Sequence, residues 1–87
     1  MTVAVNHDYP TSGALKAVDA QNEPLGDVVI RVFNMTEFEA AEGTSIAETI
    51  TDSNGEWVDT LTLADSRTWI IHFQKTGYGP VHEEITT

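Results

Sequence analysis

The chain of 87 residues has no cysteine, which excludes disulfide staples, thiolate chemistry and cysteine-ligated zinc together. Positive charge is nearly as scarce: 4 Lys and Arg stand against 14 Asp and Glu, for a formal charge of -10. With a pI near 4.3, the chain opposes the basic surface that nucleic acid or anionic lipid requires, so neither is expected as a partner. Long apolar runs are also missing. No stretch of membrane-spanning length occurs, and the opening MTVAVNHDYP has neither the basic start nor the apolar stretch of a signal peptide, so neither spanning nor ordinary secretion is expected. This length accommodates one compact domain and excludes a two-domain enzyme.

What is present reads as strands and turns. Residues 1–13 hold only the brief Val3-Ala4-Val5 segment among turn-forming residues and read as an N-terminal arm, leaving 14–87 as the single domain. Leu15 to Asp19 is a weak first strand, and Asn22, Pro24 and Gly26 supply the turn after it. From Val28 to Phe33, Val28, Ile30 and Val32 share one face, with Val29, Arg31 and Phe33 on the other. Thr36 and Glu39 have capping-box spacing before Ala40, Ala41 and the stop residue Gly43, which predicts a short helical segment anchored by Phe38. Ile46 to Thr51 alternates without a clear inward face. Asp52-Ser53-Asn54-Gly55 then gives the sharpest hairpin signal in the chain.

Beyond the hairpin, Trp57, Asp59, Leu61 and Leu63 share one parity, and the lone carboxylate of Asp59 predicts a strand end or bulge. Trp69, Ile71 and Phe73 form an inward aromatic row, and Val81 to Thr86 a last, highly charged strand. Short strands around turns, without the repeated helices a parallel sheet needs, predict an all-β, small Greek-key sandwich of prealbumin or immunoglobulin type with one short helical segment.

The pieces VDAQNEPLGDVVIRVF, TITDSNGEWVDTL and WIIHFQKTGYGP, in this order across Leu15 to Ile85, resemble the carboxypeptidase regulatory-like and Cna-B-like modules of the prealbumin-like class. The resemblance implies a non-enzymatic accessory or assembly module, of a class common in surface proteins and in phage heads and tails. It implies structural partners such as capsid or tail subunits, with self-association as a further option, and a virion or an extracellular-facing assembly as the location. Cna-B-like domains can join a Lys to an Asn; Lys16 lies in the expected first-strand region, but the final VHEEITT has no Asn, so no crosslink is expected. Related hydroxyisourate hydrolases carry a His and Arg pattern and a basic serine-ended tail that Glu83-Glu84-Ile85-Thr86-Thr87 does not match.

Chemistry-bearing patterns are weak. His7, His72 and His82, with Asp8 and Glu84 as carboxylate companions, have no metal-binding helical spacing; His72 and His82 can meet only across neighbouring strands. Asp52, Asn54 and Glu56 start like a calcium loop but place Gly55 fourth instead of sixth. Ser53 lacks a nucleophile elbow, and Gly77-Tyr78-Gly79 is no phosphate loop. Asn34-Met35-Thr36 meets the minimal glycosylation pattern without implying a function. No catalytic residue, metal ligand or cofactor is therefore expected. Partner contacts are expected at Val3, Val5, Phe33, Phe38 and Tyr78. The alternative is a carbohydrate-binding or adhesion module stacking sugars on Trp57, Trp69 or Tyr78.

Overall fold

In a computed structural model, which describes residues 1–9, 15–34 and 46–87, six strands follow one another: β1 (Thr2–Val5), β2 (Val29–Asn34), β3 (Ala47–Ile50), β4 (Leu61–Ala64), β5 (Thr68–Gln74) and β6 (Val81–Thr86). They form an antiparallel β1-β4 pair and an antiparallel four-stranded sheet in the order β3-β2-β5-β6. The chain changes sheet between β1 and β2, between β3 and β4, and again between β4 and β5. The expectation of a sandwich with a helical segment is corrected to a two-sheet, all-antiparallel sandwich. Among the described residues there is no helix. The capping-box stretch at 36–43, with Phe38, lies outside the described residues.

The facing surfaces carry the core. Val28, Ile30 and Val32 are buried as their alternation predicts, beside Trp69, Ile71 and Ile85 from β5 and β6, and Val5, Leu61 and Leu63 from the smaller sheet. Val3-Ala4-Val5, too short to make a sheet alone, forms one with β4, where Val5 aligns with Leu61 and Val3 with Leu63. Both indoles are buried and spend their N–H groups on backbone: Trp57 donates to the Leu15 carbonyl at 3.2 Å, and Trp69 to the Ala64 carbonyl at 3.3 Å. The Thr51 hydroxyl, also buried, accepts the Val28 N–H and donates to the Leu25 carbonyl, so a polar atom in the core is satisfied twice.

Asp59 lies outside a strand, in the bend before β4, where its carboxylate accepts the Thr49 hydroxyl at 3.1 Å and its N–H donates back to the same oxygen at 3.2 Å. The strand end explains why its parity with Leu61 does not bury it. Leu15 to Asp19 forms no regular strand; it makes one antiparallel bridge, Val18 with Pro24.

Two turns share one chemistry. In Asp19-Ala20-Gln21-Asn22-Glu23, the Asp19 carboxylate accepts the N–H groups of Gln21 and Glu23, and Asn22 takes a φ of 65°. In Asp52-Ser53-Asn54-Gly55-Glu56, Asp52 accepts those of Asn54 and Glu56, and Gly55 takes a φ of 74°. The fourth residue in each donates its N–H to the carbonyl of the first. The oxygen-rich pattern at 52–56 is therefore a hairpin device, with its first carboxylate engaged by amides.

Candidate functional site

Among the described residues, two strands face four, and one side of the larger sheet is left exposed. On the inner face of the large sheet, Ile30, Phe73 and Val81 stand opposite one another in register. Along that row exposure rises from 0% at Ile30 through half-buried Phe73 to 54% at Val81. Glu83, which shares the inward parity of Val81, is exposed as well, and only Ile85 at the far end of β6 is buried.

Beside this uncovered stretch runs the Leu15–Leu25 segment, and between them lies a cleft of about 600 Å³. Its apolar lining includes Leu15, Val18, Leu25, Phe73, Tyr78 and Val81; Lys16, Asp19, Lys75 and Glu83 supply the charges. The Lys75 ammonium is held by the Gly26 carbonyl at 2.8 Å. Asp19 is occupied by its own turn, as described above.

The wall formed by residues 15–19 is extended and bonded along one side. Ala17 donates its N–H to the Gly55 carbonyl and accepts the Leu25 N–H, both at 3.0 Å, and Asp19 donates to the Glu23 carbonyl. Alternation turns the backbone groups of Lys16 and Val18 to the opposite side. Among the described residues neither makes a backbone hydrogen bond with its own N–H or C=O. The side chains alternate too: Leu15 and Ala17 are buried, and Val18 is 40% exposed.

The opposite face of the large sheet carries a polar row. Glu48, Arg31, His72 and His82 lie opposite one another across all four strands. Arg31 pairs with Glu48 at 3.0 Å and donates to Gln74 at 3.2 Å. The imidazoles of His72 and His82 do meet across neighbouring strands, their centroids 6.4 Å apart. Burial lowers the pKa of His72, and His82 and Arg31 lower it further. His7 is elsewhere, its Nε2 at 3.1 Å from Asp8 and 3.6 Å from Glu56. Among the described residues no group of three or more His, Asp or Glu side chains is placed to hold a metal ion.

The residues expected to make partner contacts are scattered. Val5 is enclosed in the core, Val3 is half-buried in β1, and Phe33 is buried against the His72 ring at 6.3 Å. Of the five, Tyr78, 48% exposed and lining the cleft, combines exposure with a place at a concave surface; Phe38 lies outside the described residues. Both tryptophans being buried, Tyr78 is also what is left of the expected stacking platform. Lys16, Val18, Phe73 and Val81 were not marked as contact residues by the sequence. The available signal was the alternation of the Leu15–Asp19 stretch without a partner strand, together with the inward parity of Val81 next to charged neighbours.

Comparison with protein-family models, with curated proteins and with solved structures gives no match to this chain.

Proposed function

We propose that the domain is a non-enzymatic attachment module that joins other structural proteins through protein–protein contacts, in a virion or a comparable assembly. The observation that carries this reading is the cleft, where apolar side chains that a complete sandwich would cover, Phe73 and Val81, stay open to a partner beside the exposed ring of Tyr78. The sequence motifs support the same class of role. The virion setting rests on the resemblance of the three motifs alone.

The test is co-fractionation. The chain should travel with assembled particles through size separation, and substituting Val81 by Glu should release it while leaving the fold intact, because Val81 is largely exposed. A chain that stays free of particles, or a V81E variant that travels with them as the parent does, contradicts the reading. Tyr78 at the cleft supports a second reading, carbohydrate binding; retention of defined glycans on an array, lost in Y78A, would favour it.

A further inference from the structure

We infer that the occupant of the cleft is an extended segment of a partner protein that adds as a strand along Lys16–Val18, alternating apolar side chains with a net positive charge. The inference rests on the attachment reading above and specifies its mode.

Three observations converge on it. First, among the described residues the smaller sheet has two strands against four. The Ile30, Phe73, Val81 row shows where cover is missing, and the Leu15–Leu25 hairpin lies at the border of that gap. Second, the border is a strand edge. Ala17 uses both its backbone groups on the hairpin side, so the N–H and C=O groups of Lys16 and Val18 present the repeating pattern that an antiparallel or parallel neighbour satisfies. A strand laid there would direct alternate side chains to the floor formed by Phe73 and Val81, and the intervening ones to solvent. The pairing supplies affinity, and the apolar pockets supply register.

Third, charge selects the partner. A second copy would bring another chain of charge -10 to the same edge, and the repulsion opposes self-pairing. Of the charged residues lining the cleft, Lys75 is engaged by Gly26 and Asp19 by its own turn, which leaves Glu83 beside Lys16 within a chain of net charge -10. A segment carrying Lys or Arg at its outward positions is steered to the chain by that net negative charge.

The experiment is selection from a display library of random peptides about a dozen residues long, using the intact chain as bait, followed by amide hydrogen exchange on the complex. The expected winners alternate apolar residues with Lys or Arg, and their binding slows exchange at Lys16 and Val18. Val81→Glu should weaken them at least about tenfold, and Val58→Glu, slightly more exposed but outside the cleft, should not. Failure to select any alternating basic peptide overturns the inference, as does binding that leaves Lys16 and Val18 unprotected. The attachment reading fails separately, when the full chain does not travel with particles. A chain that does travel with them, with the Lys16 and Val18 amides unprotected in the bound state, keeps the reading and removes this mode.

Discussion

Gly55 and Ala17 touch backbone to backbone: the Ala17 N–H donates to the Gly55 carbonyl at 3.0 Å, and a Cβ built on Gly55 would stand 2.4 Å from the Ala17 carbonyl oxygen. This contact fixes the wall of the cleft to the hairpin that follows β3. It also requires glycine twice, once for the φ of 74° and once for the space. Gly55→Ala is therefore expected to cost about 2 kcal/mol or more, since strain in the left-handed region alone is worth about 1–3 kcal/mol. Gly77→Ala provides the comparison. Its φ is 89°, yet nothing lies within 4 Å of the added Cβ, so it should lose less. Urea unfolding of the two variants measures the difference.

Thr51→Val should destabilise by about 2 kcal/mol, because it leaves the buried Val28 N–H and the part-buried Leu25 carbonyl without the hydroxyl that serves both. Thr51→Ser keeps the oxygen and should retain most of the stability. A Thr51→Ser variant that loses as much as Thr51→Val or more, measured by denaturant midpoint, would show that the hydroxyl is not the dominant contribution there.

The fold was legible where alternation was clean and local. Val28, Ile30 and Val32 and the Trp69, Ile71 and Phe73 row were evident from period two, because these positions face the core, and the last strand was evident from its alternation although only Ile85 of it is buried. The Asp52-Gly55 turn was evident because its geometry depends on its own residues. Val3 to Val5 was not evident as a strand, since its partner, β4, lies some sixty residues away and nothing local encodes that pairing. The opposite error occurred at Leu15–Asp19, where alternation promised a strand and the structure provides a single bridge. That miss is informative about the site: a sequence patterned to pair but with one side left unpaired is the edge from which the cleft is built. Phe33 illustrates a different limit. Its parity put it on the second, partly apolar face, open to a loop or another subunit, and it is buried there beside His72.

Acid should weaken the domain through His72. Its folded pKa lies below the ordinary 6.5, first because of burial and then because of His82 and Arg31. As pH falls through 6.5, the unfolded chain takes up the proton before the folded one does. The contribution is thus complete above 6.5, declines as pH falls toward the lowered folded value, and is constant below it. His72→Gln should flatten this part of the stability profile, read from thermal melts between neutral and mildly acidic pH. An unchanged slope in the variant would assign the acid sensitivity to other groups.

Asp19→Ala removes the acceptor of two turn amides and should loosen the Leu15–Leu25 hairpin by about 1 kcal/mol, the usual worth of such a cap. Asp52→Ala removes the same device from the second hairpin and should cost a similar amount. Denaturant unfolding of both variants checks the equivalence of the two turns; a neutral D19A would mean that the Asp19 bonds add nothing to the hairpin at the cleft.

The most direct measurement is residue-resolved amide hydrogen exchange on the free chain at Lys16, Ala17 and Val18. Ala17 should exchange slowly, its N–H held by Gly55, while Lys16 and Val18 on either side exchange close to the rate of exposed backbone. Slow exchange at all three positions would mean that the edge is already paired within the chain, leaving no strand position for a partner to fill.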